Sequence, residues 1–367
     1  MANDFVYAQP VKIRFGEGCL EQLGEVFAEL GISRAVLVCG RHFAARAEAL
    51  REKSPQIRAV FAEVQPDPQL SGAVRTAELA KETLAQAVVG IGGGSAMDTA
   101  KFAAAVAPGD AAPEAYYRGE VPFPAKPLMI ICVPTTAGTG SEVTQVSVIS
   151  HGAEKRTVNH PAFMPKAALV DPLLSFSVPA RTAVCTGLDA LAHALEGYWS
   201  RNHQPISDLM AVEAVRLITQ NLEKVWLAGP DEDLPAHGAM AYAALLGGLS
   251  FALPKTAGCH ACSYPLCETF HLSHGEACAF TLDAFVRINA DERLEALCRR
   301  AGLAGTEELA AWIDSMKKKA GLRTRLSELG EADIPVLAAA AAAHPLIKNN
   351  PVPMDAAALE KMFEGLR

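Results

Sequence analysis

The sequence predicts an α/β N-terminal half followed by an all-helical C-terminal half, and three observations support this division. Up to about residue 178, short β-rich apolar runs alternate with longer segments of helical periodicity. Beyond that point, long stretches rich in alanine and leucine follow, and no repeat or low-complexity linker interrupts the chain. Strands that alternate with helices are typical of βαβ units and a parallel sheet. We therefore predict an α/β domain at residues 1–178 and an all-helical domain at residues 179–367.

Six strands and two helices are predicted in the first half. Residues 11–15 alternate apolar and charged side chains between Pro10 and Gly16, as expected of a half-exposed strand. Helical periodicity predicts helices at residues 20–30 and 73–84. The remaining strands are short apolar runs at residues 35–39, 59–61, 87–91, 129–133 and 168–170.

The second half is predicted to be helical because its long stretches consist of strong helix formers. An alanine tract at residues 337–343 stops at His344 and Pro345, and proline cannot continue a helix. The other predicted helices are at residues 183–199, 207–225, 236–250 and 293–301.

Composition and charge exclude several classes of protein. The 33 lysines and arginines are outnumbered by 41 aspartates and glutamates, so the net charge of -8 argues against a nucleic-acid binder. We find no signal-peptide pattern and no apolar run of about 18 residues that could span a membrane. The nine scattered cysteines are expected to be reduced thiols in a cytoplasmic protein.

A glycine-rich turn, Gly92-Gly93-Gly94-Ser95, follows the predicted strand at residues 87–91 and opens a helix. Glycines let the backbone approach an anion closely, and the N–H groups at a helix N-terminus bind phosphate. Ser95 and Asp98 fit a capping box that would define where the helix begins. A glycine-rich turn without any ligand remains the alternative.

A second loop, residues 134–144, follows the strand at 129–133 and carries the hydroxyls of Thr135, Thr136 and Thr139. Open α/β sheets bind ligands at the carboxyl ends of their strands. A capped loop is the alternative reading, but two such loops together favour a dinucleotide or a phosphorylated ligand.

Asp189 and His193 stand four residues apart, so on a helix both side chains lie on one face. Their neighbours are mostly alanine and leucine, which predicts a buried face, and a buried carboxylate needs a partner such as a cation. His260 and His274 follow downstream. Three imidazoles and one carboxylate suit Fe(II), Zn(II) or a similar ion.

The rival metal site is a structural zinc held by Cys259 and Cys262 with Cys267 or Cys278, as in a non-enzymatic binding protein. One C-x-x-C without a matching second pair is weak support for such a site.

Together these motifs resemble those of the iron-containing alcohol dehydrogenases, in order and over essentially the whole chain. The resemblance implies a dinucleotide-binding domain and a helical metal-binding domain, with cofactor and metal in the cleft between them. This architecture is shared with dehydroquinate synthase. The resemblance assigns the metal to Asp189, His193, His260 and His274. It places the cofactor at Gly40, Asp67, Gly93, Gly94, Ser95, Asp98, Thr135, Thr136, Thr139 and Lys155.

Two positions depart from the family pattern. Gly40 stands where many members carry an acidic residue that bonds the ribose, so NADP(H) stays open and Arg41 offers a partner for its phosphate. We still expect NAD(H) over NADP(H), with Fe2+ as the metal and Zn2+ as the alternative. Tyr264 stands where many relatives have a histidine, and it joins His271 as a candidate catalytic proton donor.

The segment at residues 260–282 is similar to one branch of the family, whose members reduce sulfoacetaldehyde or phosphonoacetaldehyde. We therefore expect hydride transfer from the nicotinamide to a short aldehyde with an anionic head group, the metal acting as a Lewis acid. The product would be isethionate or 2-hydroxyethylphosphonate. Candidate donors to the head group are Arg118, Lys155, Arg156, Asn159, His160 and residues 348–350.

Two other activities remain open. One is a generalist primary alcohol dehydrogenase. The other is a metal-dependent lyase like dehydroquinate synthase, which would need more basic residues around its substrate. The resemblance also implies a homodimer or a larger homo-oligomer.

Overall fold

The computed structural model describes residues 4–152 and 154–367, which form two compact units. The α/β unit comprises Ala8–Thr136 and Gly140–Ser175. The helical unit comprises Phe176–Arg367 together with Ala137–Thr139 and residues 4–7. The boundary lies three residues before the predicted one, and the transfer of Ala137–Thr139 to the helical unit is not anticipated by the sequence.

The α/β unit is built on a six-stranded parallel sheet in the order β1-β8-β5-β4-β2-β3. All six predicted strands occur in it. The strands are β1 (Lys12–Phe15), β2 (Ala35–Gly40), β3 (Ile57–Val64), β4 (Ala87–Gly92), β5 (Met129–Pro134) and β8 (Ala167–Val170).

An antiparallel pair, β6 (Val146–His151) and β7 (Glu154–Asn159), forms a separate two-stranded sheet that the sequence analysis did not predict. The helices of the unit include the two predicted ones, here α1 and α3, with shifted ends. The helices are α1 (Leu23–Glu29), α2 (Ala44–Lys53), α3 (Leu70–Glu82), α4 (Gly94–Val106), α5 (Pro113–Arg118) and α6 (Pro172–Ser175).

The register of the central strands brings the two polar loops side by side. Gly92 at the end of β4 pairs with Pro134 at the end of β5, and the Thr135 N–H donates to the Gly92 carbonyl at 3.0 Å. Both strands are almost wholly buried, as expected in a parallel sheet covered on both faces.

The helical unit contains every predicted helix of the second half and four more, α10, α11, α13 and α15. Its helices are α7 (Ala180–Trp199), α8 (Pro205–Ala228), α9 (Leu234–Phe251), α10 (Gly258–Phe270), α11 (His274–Ile288), α12 (Glu292–Arg300), α13 (Thr306–Lys319), α14 (Ile334–Ala343) and α15 (Ala356–Gly365). The predicted fold class, an α/β part and an all-helical part, is confirmed. Among the described residues, no helix is long and apolar enough to cross a membrane.

Helix α7 lies at the centre of the helical unit, and two glycines let its neighbours approach. A Cβ at Gly187 would lie 2.5 Å from Leu222 of α8, and one at Gly197 would lie 2.8 Å from the Ser250 carbonyl of α9. The second half of α7 is fully buried, including its polar residues Asp189, His193 and Glu196. Helix α7 therefore places the carboxylates of Asp189 and Glu196 within an apolar core.

Candidate active site

Four side chains from three helices of the helical unit converge. Asp189 and His193 lie on α7, His260 on α10 and His274 at the start of α11. The Asp189 Oδ1 atom lies 3.7 Å from His260 Nε2 and 3.8 Å from His274 Nε2. His193 Nε2 lies 3.1 Å from His260 Nε2, and its Nδ1 lies 4.0 Å from Asp189 Oδ2. The structure thus brings together the whole predicted metal-binding set.

The donor set fits a divalent cation. Asp189 is 2% exposed, and its Oδ1 has no hydrogen-bond partner within the described part of the chain. An unpaired carboxylate in an apolar core is costly, and a cation among imidazole nitrogens would compensate it. Burial, and secondarily the nearby His260 ring, lower the pKa of His193 well below its ordinary value. His193 is therefore neutral and carries a lone pair for a metal.

Glu196 positions His260 and was not singled out in the sequence. Its carboxylate is fully buried, accepts the Cys259 N–H at 2.6 Å and hydrogen-bonds the Nδ1 of His260. A proton on Nδ1 leaves the Nε2 lone pair directed at Asp189, the arrangement that metal-binding histidines use. The signal that could have found Glu196 is its position seven residues after Asp189, on the same helical face.

The rival cysteine site is not assembled. In the described ranges, a single group of three or more potential metal ligands has its donor atoms within 4.8 Å of one another, and it consists of Asp189, His260, His274 and Cys278. Cys259 and Cys262 are fully buried and lie outside this group, so the structure gives the C-x-x-C alternative no support.

The two candidate proton donors have different surroundings. The Tyr264 ring on α10 stacks on His344 with centroids 4.2 Å apart. Burial and the charge of His260 lower the pKa of His344, so this ring lies within electrostatic reach of the metal-site histidines. The sequence analysis treated His344 only as part of a helix stop. His271 is exposed and ends α10 with a left-handed backbone, at φ 52°.

In the α/β unit, the structure brings three predicted cofactor-binding residues together. Gly93 caps α4, and a Cβ added to it would lie 3.3 Å from Thr136 Oγ1. Thr135 is tied to β4 through the Gly92 carbonyl. The N-terminus of α4, at Gly94 and Ser95, therefore opens beside a hydroxyl-rich loop.

The predicted capping box of Ser95 and Asp98 is wrong. Helix α4 begins at Gly94 with Gly93 as its N-cap, so Ser95 already lies inside the first turn. Asp98 is buried instead, and its carboxylate accepts the Ser141 hydroxyl at 2.7 Å and the Val148 N–H at 2.9 Å. These contacts occupy both oxygens and join α4 to the second loop and to β6.

A buried lysine completes this network. Lys101 is fully buried, and its ammonium donates to the Ser141 carbonyl at 2.6 Å and the Val146 carbonyl at 2.8 Å. It also lies 3.9 Å from the Asp98 carboxylate, which compensates its charge. Lys101 was not among the predicted site residues, because its hydrogen-bond acceptors Ser141 and Val146 lie 40 and 45 residues further along the chain.

Asp67 and Lys155 are 88 residues apart in the sequence and form an ion pair of 2.5 Å. Asp67 has a positive φ of 53°, which aspartate tolerates better than most residues.

Two further predicted cofactor residues lie elsewhere. Gly40 ends β2, and the exposed Arg41 follows it. Thr139 belongs to the segment that packs with the helical unit, where a Cβ at the neighbouring Gly138 would lie 2.7 Å from Thr186 Cβ on α7.

Two sequence profiles together cover nearly the whole chain. The profile "Iron-containing alcohol dehydrogenase" matches residues 10–172, and "Fe-containing alcohol dehydrogenase family, C-terminal" matches residues 183–366. The chain belongs to the iron-containing alcohol dehydrogenase family. It is therefore an enzyme, a metal-containing NAD(P)-dependent alcohol dehydrogenase, as the resemblance implied.

Curated relatives and solved structures agree with this family. The chain is 31% identical to NAD-dependent methanol dehydrogenase of Bacillus methanolicus, over 96% of each chain. It is 40% identical to long-chain-alcohol dehydrogenase 1 of Geobacillus thermodenitrificans (strain NG80-2), over 64% of this chain and only 60% of that relative. The crystal structure of sulfoacetaldehyde reductase from Bifidobacterium kashiwanohense in complex with NAD+ matches with a TM-score of 0.94 and 36% identity, over 99% of both chains. The predicted resemblance to that branch is confirmed.

Several predicted donors to an anionic head group have other partners in the structure. Arg156 donates to the Tyr117 carbonyl at 2.7 Å, and His160 Nδ1 accepts the Ala162 N–H at 3.1 Å. Asn350 is buried and exchanges two amide hydrogen bonds of 2.9 Å with Asn289. These three side chains support the local fold and are poor candidates for a substrate clamp.

Proposed function

We propose that this alcohol dehydrogenase reduces a short aldehyde with an anionic head group, using NADH. The observation that carries the proposal is the likeness, over 99% of both chains, to a sulfoacetaldehyde reductase whose structure contains NAD+. By that likeness the reaction is sulfoacetaldehyde to isethionate, or phosphonoacetaldehyde to 2-hydroxyethylphosphonate.

Asp189, His193, His260 and His274 are the residues that would hold the metal, Fe2+ by the family and Zn2+ as the alternative. When bound, the metal supplies Lewis-acid polarisation of the carbonyl oxygen, and the nicotinamide supplies the hydride. Glu196 keeps the His260 ring oriented for this role through its hydrogen bond to Nδ1.

The cofactor's pyrophosphate would be bound by the backbone N–H groups at the start of α4, at Gly93, Gly94 and Ser95. Thr135, Thr136 and Thr139 supply hydroxyl donors, and the Asp67–Lys155 pair lies in the same α/β unit. Asp98 supports these loops by holding Ser141 and Val148, which makes it a positioning residue instead of a direct cofactor ligand. Because Gly40 has no carboxylate that would repel the 2′-phosphate of NADPH, we expect the enzyme to accept NADPH as well. NADH remains the expected faster cofactor.

Tyr264 is the favoured source of the proton that the reduced substrate oxygen takes up. Its ring stacks on His344, which lies within electrostatic reach of His260, whereas His271 is exposed at the end of α10. A hydroxyl in this position can pass its proton directly or through one water.

A generalist primary alcohol dehydrogenase is the second candidate. Its first support is the similarity to relatives such as the methanol dehydrogenase of Bacillus methanolicus. Its second is that Arg156, His160 and Asn350 bond to other parts of the fold, which leaves fewer donors for an anionic head group.

The family resemblance implies a dimer or a larger oligomer. Light scattering of the purified enzyme measures this oligomeric state.

The deciding experiment follows cofactor oxidation by the Fe(II)- or Zn(II)-loaded enzyme. NADH and NADPH are each tried with sulfoacetaldehyde, phosphonoacetaldehyde and propanal. We expect kcat/KM for an anionic aldehyde to exceed that for propanal by at least tenfold, or about 1.4 kcal/mol. Equal or faster turnover of propanal would establish the generalist activity in place of the proposed one.

A further inference from the structure

Cys278 places a thiol among the predicted metal ligands. It lies on α11 one helical turn after His274, it is fully buried, and its Sγ is 3.7 Å from His274 Nε2. Its sulfur and the donor atoms of Asp189, His260 and His274 all lie within 4.8 Å of one another. The family resemblance assigns no role to this residue.

A second observation points to a ligand at the same place. Asp189 Oδ1 is buried without a hydrogen bond and faces the Nε2 atoms of His260 and His274 at 3.7 and 3.8 Å. One buried carboxylate oxygen and two imidazole nitrogens that converge at these distances are a donor set for a cation. The Cys278 sulfur belongs to the same group of donor atoms, so a cation bound to Asp189 Oδ1 would lie near this sulfur.

We propose that Cys278 is a sulfur donor to the metal, in addition to Asp189, His193, His260 and His274. On metal uptake a bond forms between sulfur and the ion, and the thiol proton passes to solvent. A thiolate is a softer ligand than the carboxylate and imidazoles, so it favours Zn(II) and other ions that accept sulfur. The metal site of this chain would then differ from sites that have only nitrogen and oxygen ligands.

The inference rests on the metal site of the proposed function, and it does not depend on the substrate. The test therefore uses metal spectroscopy of the full chain. The protein is loaded with Co(II), and its absorption is recorded in the near ultraviolet, where thiolate-to-cobalt charge transfer appears. Variants C278S and C278A are compared with C298S, which replaces a fully buried cysteine on α12 outside the ligand group.

We expect the charge-transfer band in the wild-type protein and in C298S, and its loss in C278S and C278A. X-ray absorption of the Zn(II)-loaded wild-type protein should show a sulfur neighbour at about 2.3 Å. Cobalt binding without the band, or zinc without a sulfur neighbour, overturns the role of Cys278 and leaves the metal site intact. If the wild-type protein takes up no cobalt, both this inference and the proposed metal site fail. A variant that does not fold leaves the test valid, because among the described residues Cys278 supplies the one sulfur in this donor group, so a sulfur neighbour in the wild-type spectra is assigned to it.

Discussion

The buried carboxylate of Glu196 hydrogen-bonds the Nδ1 of His260, and this contact determines which nitrogen of the ring faces Asp189. Burial alone would lower the pKa of His260, but the Glu196 and Asp189 carboxylates outweigh it and raise that pKa. One residue thus accepts a backbone N–H at the start of α10 and orients a predicted metal ligand. The predicted metal site therefore depends on Glu196, a side chain outside the predicted ligand set.

Replacing Glu196 with Gln should weaken metal affinity about 10- to 100-fold, because the oriented, electron-rich imidazole is lost. Metal affinity is measured by competition with a chromophoric chelator. The matched control is Glu268→Gln, an exposed acid on the same helix as His260, which should retain wild-type affinity. Equal affinities for the two variants would show that Glu196 has no influence on the metal.

Replacing Lys101 with Met should destabilise the protein by about 3–5 kcal/mol, because the buried Asp98 carboxylate loses its partner cation. The carbonyls of Ser141 and Val146 also lose their donor. Urea unfolding measures the change. Lys53→Met, at an exposed lysine at the end of α2, should change stability by less than about 0.5 kcal/mol. A small effect at Lys101 would mean that its network contributes little.

Gly-to-Ala changes in two helices should have opposite signs. At Gly197 the new methyl would lie 2.8 Å from the Ser250 carbonyl, and this clash should cost about 1–3 kcal/mol. At Gly24 in α1 no atom lies within 4 Å of the added carbon, so the better helix former should stabilise by up to about 1 kcal/mol. Unfolding free energies of both variants are compared with wild type. A stabilised G197A protein would contradict the close packing of α7 against α9.

Replacing Tyr264 with Phe should lower kcat by about 100-fold, because the ring stays in place and the hydroxyl proton is lost. Metal content should be unchanged. His271→Asn serves as the control, since asparagine tolerates the left-handed backbone and the side chain is exposed. If Y264F turns over at the wild-type rate, or if H271N is the slower of the two, Tyr264 is not the proton donor.

Replacing Gly40 with Asp should lower kcat/KM for NADPH by at least tenfold, because repulsion between like charges costs more than about 1.4 kcal/mol. The side chain has room, since a Cβ at this position would be 3.4 Å from the nearest atom, the Val64 carbonyl. Use of NADH should be retained or improved through the ribose hydroxyls. Initial rates with both cofactors measure the effect, and an unchanged ratio would place the ribose away from residue 40.

Features that depend only on residues close together in the sequence were predictable. The alternation of apolar runs predicted the parallel sheet, because strand and helix periodicities differ. The four-residue spacing of Asp189 and His193 placed both side chains on one helical face before any packing was known. The capping box failed for a local reason, since Gly93 served as the N-cap without a side-chain bond and moved the start of α4 by two positions.

Features that join distant segments were not predictable from one sequence. The hairpin of β6 and β7 lacks a strong turn signal, and its pairing depends on tertiary contacts. Lys101, Glu196 and His344 become informative only when their partners are known, because a lysine, a glutamate or a histidine is most often solvated. The same holds for Cys278, which the sequence grouped with Cys259 and Cys262 and the structure places beside Asp189, His260 and His274.

The sequence by itself determined the fold class, the family and the identity of four predicted metal ligands, because periodicity and motif spacing are local properties of the chain. Only the tertiary structure decided that Glu196 orients His260, that Asp98 holds Ser141 and Val148, and that the Cys278 sulfur lies beside Asp189, His260 and His274. The physical reason is that burial and pairing between helices determine whether a charged or sulfur-bearing side chain is solvated, structural or available to a ligand.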